Sequence, residues 1–117
     1  MHGLPKNTDL NFLIGQDLIQ VCIGENDLLL NFSENCTIEI LSTCKLVQGK
    51  KILKIESYPV SASLLCSLIG SKVVSYEISD QGALMLSLNN DAFLTIYDDS
   101  DNYESYIIKY SDKEIVV

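Results

Sequence analysis

Apolar and polar residues alternate along much of the chain. In LLLNFSENCTIEI, residues 28–40, Leu28, Leu30 and Phe32 fall on every second position, as do Ile38 and Ile40 beyond the SEN break. Successive side chains of an extended backbone point to opposite faces, so a period of two marks half-buried strands. The pattern predicts strands at 17–23, 28–33 and 36–41, then at 72–78, 83–88 and 92–97. Further strands are predicted at 44–48, 51–57, 104–110 and 114–117. The connections GEND, SEN, SDQG and NND are rich in residues that accept tight or left-handed backbone, which is hairpin-turn chemistry.

The alternation is itself repeated. Residues 13–40 lie over 68–96 at an offset of 55, rising to 56 after a turn. Leu13, Ile14 and Gly15 match Leu68, Ile69 and Gly70. Ile19, Val21 and Ile23 match Val74, Tyr76 and Ile78, while Leu28, Leu30 and Phe32 match Leu84, Leu86 and Leu88. Ile38 and Ile40 match Leu94 and Ile96. Each copy opens with a short helix signal. Pro59 ends the preceding strand, Ser61 caps ASLLCSLI and Gly70 stops it; Asn7 or Thr8 caps a weaker stretch that ends at Gly15. These signals describe a single domain, internally duplicated over about 7–57 and 60–117. The expected class is mainly β, bordering on α+β: an antiparallel β-sandwich or partly open barrel with short helices over its ends or edges. Ile19, Leu30, Phe32, Tyr76, Leu86 and Leu88 are its expected core.

Composition narrows the chemistry. The chain has 117 residues and a net charge of −8, and all eight of its basic residues are lysine. Without arginine, the preferred fork for phosphates and base edges, an acidic chain is a poor nucleic-acid binder. Four lysines (Lys45, Lys50, Lys51 and Lys54) fall in KLVQGKKILKIE, read as an edge hairpin whose charges block edge-to-edge pairing. No apolar run reaches the roughly 20 residues of a membrane span, and the start lacks a secretory signal, so a cytoplasmic protein is expected. Cys22, Cys36, Cys44 and Cys66 have no metal-ligand spacing and read as reduced, hydrophobe-like thiols. The one histidine, His2, lies outside the repeated pattern. With no base for a nucleophile, no phosphate-binding loop and no metal set, neither an enzyme nor a cofactor is expected.

One stretch stands apart: YDDSDNYESY, residues 97–106, with four acids and three tyrosines. The second copy carries it as an insertion where the first runs straight on. Its spacing fails the calcium-loop pattern, because Glu104 stands where that pattern needs glycine. Recognition survives as a reading: tyrosines give stiff amphipathic contact area and acids steer a basic partner. Asp98, Asp99, Asp101, Tyr103 and Glu104 are the candidate partner-binding residues. A solvated acidic turn flanked by strand tyrosines is the alternative. A strand starting at Glu104 would put Glu104 and Tyr106 on one face and Ser105 and Ile107 on the other, with one of Tyr103 and Tyr106 in the core.

IYDDSDNYESYII, with the terminal IVV, LIG and L-x-L-x-F, resembles a family of small acidic bacterial proteins encoded beside polymorphic toxins such as contact-dependent growth-inhibition effectors. The resemblance runs from about Leu10 to Val117. It implies an immunity protein that binds a basic, nuclease-type toxin domain and occludes its active face by stoichiometric binding. It carries over no residue roles. The expected partner is thus a basic protein, with no nucleic acid and no membrane, and the chain a monomer or weak homodimer. A non-catalytic β-barrel ligand binder or an oligomeric structural module is the other reading.

Overall fold

The computed structural model describes residues 4–56, 61–100 and 104–117, so His2, Pro59, Asp101 and Tyr103 lie outside the described residues. Ten strands form where the period-two pattern places them: β1 (Leu18–Ile23), β2 (Leu28–Phe32), β3 (Cys36–Ile40), β4 (Cys44–Gln48), β5 (Lys51–Ile55), β6 (Val73–Ile78), β7 (Leu84–Leu88), β8 (Ala92–Ile96), β9 (Tyr106–Tyr110) and β10 (Lys113–Val116). Two 3-10 helices, η1 (Asn11–Leu13) and η2 (Ser61–Leu68), precede β1 and β6.

Every strand pairs antiparallel, in two separate five-stranded sheets. Sheet 1 runs β1-β2-β3-β9-β10 and sheet 2 runs β5-β4-β8-β7-β6. The architecture is a β-sandwich, not a closed barrel. The two halves exchange their last hairpins. β4 follows β3 in the chain but pairs with β8, while β9 follows β8 but pairs with β3.

The repeat extends to individual backbone torsions. Gly15 and Gly70 have φ of +89° and +95°, Asn35 and Asp91 of +53° and +60°, and Gly49 and Ser111 of +60° and +57°. Asn35 and Asp91 each close a three-residue hairpin loop with a left-handed residue, a conformation their short polar side chains tolerate. Between the copies, residues 15–18 and 70–73 pair antiparallel with matched hydrogen bonds. Gly15 N–H donates to Val73 O (2.8 Å) and Gly70 N–H to Leu18 O (2.7 Å), while Leu18 N–H donates to Ser71 O and Val73 N–H to Gln16 O, both at 2.9 Å. A salt bridge from Lys72 to Asp17 (3.1 Å) sits over this junction.

The buried residues of both sheets form one cluster that includes Leu30, Phe32, Leu86 and Leu88, with Tyr76 packed against it. Ile19 departs from expectation: it is 56% exposed, as is its counterpart Val74 at 52%. Both β1 and β6 shift register at these residues, Leu18 pairing with Phe32 and Gln20 with Asn31, so the extra residue has no cross-strand partner and turns outward. Val21 then recovers the inward face opposite Leu30.

The helices fill the open flanks between the sheets. η2 lies against β1 and β5, and η1 against β6, with Phe12 stacked on Tyr110 of β9 at 4.2 Å. Leu10 and Leu13 are fully buried beneath η1, and Leu65 and Leu68 beneath η2. Neither Asn7 nor Thr8 caps η1. Thr8 donates its hydroxyl to Pro5 O (2.7 Å), and the Asp9 carboxylate accepts from Asn11 N–H (2.9 Å) instead. Among the described residues no helix is long and apolar enough to cross a membrane.

Candidate functional site: the acidic loop and an acidic corner on sheet 1

The β3–β4 link is three residues, 41–43, whereas the β8–β9 link is nine, 97–105. The two links pair with each other at their roots: Leu41 N–H donates to Ser105 O (2.9 Å) and Tyr97 N–H to Thr43 O (3.0 Å). The insertion therefore begins on ordered ladder and returns to it.

Asp98 and Asp99 are both tied down by hydrogen bonds, although Asp98 is half-buried and Asp99 exposed. The Asp98 carboxylate accepts from the Ser105 hydroxyl at 2.6 Å, and that hydroxyl accepts from Ser100 N–H at 3.1 Å. Asp99 accepts from both the Thr43 N–H (3.2 Å) and the Thr43 hydroxyl. Ser42 donates its hydroxyl to Tyr97 O at 2.6 Å. These acids serve the backbone of two neighbouring links, as short polar side chains do in turns. Ser105 and Tyr106 are both fully buried. β9 thus starts at Tyr106, and the expected alternation of Glu104 with Ser105 does not hold, because Ser105 is still in the loop and is buried by its own hydrogen bonds. Tyr106 takes the core position, while Tyr97 is half-buried and Glu104 exposed.

Glu104 does not stand alone. On the outer face of sheet 1, the Glu39 carboxyl is pushed above its ordinary range by burial, by a hydrogen bond and charge from Asp27, and by the charge of Glu104, with Lys109 pulling the other way. Asp27, Glu39 and Glu104 therefore form an acidic corner drawn from three separate parts of the chain. The counterparts of these residues in the other copy are Ala83, Thr95 and Ser42, all neutral. Sequence reasoning found Glu104 and missed Asp27 and Glu39. The register of β3 against β9, which brings Glu39 opposite Ile107, is what joins them.

The cysteines are all free. Burial pushes the Cys36 thiol up to about 12; burial and the charge of Asp99 push Cys44 up to about 12. A thiol so disposed stays protonated and unreactive at neutral pH. Cys66, read with the others as a hydrophobe-like thiol, is exposed on η2. Among the described residues no group of His, Cys, Asp and Glu is placed to hold a metal ion. A cleft of about 320 Å³ opens beside η1, between Asp9 and Phe12 on one side and Tyr110, Lys113 and Ile115 on the other.

A family model matches residues 11–117, from η1 through all ten strands. The chain belongs to the family of unknown function DUF6188. No curated protein and no solved structure matches it.

Proposed function

We propose that this protein binds a basic protein partner and neutralises it by stoichiometric occlusion, as an immunity protein does its cognate toxin. The observation that carries the reading is the meeting of three acids, Asp27, Glu39 and Glu104, on the outer face of sheet 1. Burial, and then the hydrogen bond and charge of Asp27 and the charge of Glu104, raise the Glu39 pKa, and a cationic surface set against these acids would favour the charged form. The neutral counterparts in the other copy show that the scaffold does not need the acids. The tied roots of the 97–105 loop hold the neighbouring surface in shape, which lowers the ordering cost of binding. A chain of net charge −8 without arginine adds a field that speeds encounter with a basic domain.

The test is co-expression with the product of the adjacent reading frame, scored by complex formation and by growth. Wild-type protein should form a 1:1 complex and protect cells. Glu39→Lys/Glu104→Lys should melt no lower than wild type yet lose protection, with association slowed at least tenfold at low salt. Full protection by that variant would remove the acidic corner as the interface.

A further inference from the structure

The outer face of sheet 2 differs from that of sheet 1 in a way the repeat makes measurable. Cross-strand pairing sets Phe93, Val47 and Ile52 in one row across β8, β4 and β5. Ile52 is 69% exposed and Phe93 49%. The corresponding row of sheet 1 is Thr37, Lys109 and Glu114 across β3, β9 and β10. One fold thus carries the same row as polar in one sheet and apolar in the other, so the apolar version answers no need of the fold.

Charge separates the faces as well. The β4–β5 hairpin, residues 44–55, holds Lys45, Lys50, Lys51 and Lys54 and no acid, whereas β9–β10 balances Lys109 and Lys113 with Asp112 and Glu114. With +4 on that hairpin, the net charge of −8 leaves −12 for the rest of the chain. Lys45 and Lys54 lie directly opposite each other, a pairing of like charges that disfavours the bare sheet. Glu56 holds Lys54 at 2.9 Å, between side chains that are both mostly exposed, and Lys45 has no ion pair among the described residues. β5 is also the end strand of sheet 2 and pairs only with β4 among the described residues.

We propose that this face is a second docking surface, which takes an extended acidic segment of a partner protein along β5. A strand added there makes backbone hydrogen bonds to the edge of β5 that β4 leaves unpaired, bounded where η2 packs on β5, and lays alternate side chains beside Ile52 and Lys54. Those neighbours call for a large apolar residue and an acidic residue two positions apart. A lipid surface would use the lysines and the apolar row but leave the strand edge unpaired. The surface is separate from the acidic corner on sheet 1 and does not depend on its role.

Random ten-residue peptides displayed on phage, selected on wild-type protein and counter-selected on Ile52→Glu/Phe93→Thr, test this directly. That variant installs the residues sheet 1 already carries, and its melting curve should match wild type. Should it fail to fold, Lys45→Ala/Lys54→Ala replaces it. Enriched peptides should be acidic, with an acid two positions from a large apolar residue, and should bind the variant at least tenfold more weakly. Glu39→Lys/Glu104→Lys should bind them as wild type does. Enrichment of non-acidic peptides, or none above the variant, overturns the proposal. So does either of two outcomes without peptide binding: variant-sensitive sedimentation with phosphatidylglycerol vesicles, or a variant-sensitive dimer in size exclusion.

Discussion

The Tyr106 hydroxyl donates to the carbonyl oxygen of Gly82 at 2.7 Å, joining β9 of one sheet to the turn that leads into β7 of the other. Both residues are buried. Burial, and then the charge of Asp98, push the Tyr106 phenol well above its ordinary range, so it remains a donor throughout the stable pH range. Tyr106→Phe leaves that carbonyl without this donor and should lower stability by about 1–3 kcal/mol, read from urea unfolding at pH 7. An unchanged midpoint would mean that water replaces the hydroxyl.

Ser111 holds φ of +57° in the hairpin turn where the other copy has Gly49 at +60°. Left-handed backbone strains a residue with a Cβ by about 1–3 kcal/mol, while glycine adds about 0.5–1 kcal/mol of unfolded-state entropy. Ser111→Gly should therefore stabilise the protein by about 1 kcal/mol in the same assay.

The half-buried Asp98 and the exposed Glu104 of the long loop should separate cleanly. Asp98→Ala removes the acceptor of the buried Ser105 hydroxyl and should destabilise by about 1–3 kcal/mol. Glu104→Lys, at an exposed position, should change stability by less than about 0.5 kcal/mol. Thermal melts of the two single variants decide it, and equal losses would contradict the assignment of roles.

Glu39 makes stability depend on pH in a defined direction. Its native pKa lies above the ordinary glutamate value of 4.5, so the folded state holds this proton more tightly than the unfolded state does. Stability is then lost as pH rises from 4.5 through the raised native pKa, and the loss is constant above it. Glu39→Gln should melt higher than wild type at neutral pH, with the difference vanishing below pH 4.5. A difference that grew on acidification would refute the cause given for the shift.

Thiol reactivity should follow exposure. Titrated with Ellman's reagent, native protein should release one equivalent quickly from Cys66 and a second more slowly from the half-buried Cys22. Cys36 and Cys44 should react only in denaturant. Fast reaction of more than two thiols would show the core to be open.

Strand positions were legible because each strand is half-buried, which writes burial directly into alternate residues; Leu28, Leu30, Phe32, Ile38 and Ile40 show it. Alternation fails wherever a bulge inserts a residue, and at Ile19 it therefore points inward for a side chain that turns out. Pairing between sequence-distant strands leaves no such trace. The exchange of β4 and β9 was therefore invisible, and with it the meeting of Asp27, Glu39 and Glu104. Counting acids pointed to the 97–106 stretch, but composition cannot tell an unengaged carboxylate from one that ties down its own loop, as Asp98 does, or the neighbouring link, as Asp99 does.

The exchanged hairpins bear on how the chain is made. Sheet 1 cannot be completed until β9 and β10 leave the ribosome, because they fill the place beside β3. Sheet 2 cannot form around β4 until β8 exists. Each half therefore waits for the other, and long-range pairing of this kind folds slowly. During that wait β4–β5 is a bare two-stranded ribbon with both edges free, the state most open to pairing with a neighbouring nascent chain. Its four lysines would repel such a neighbour, since a second copy of the same ribbon carries the same charge.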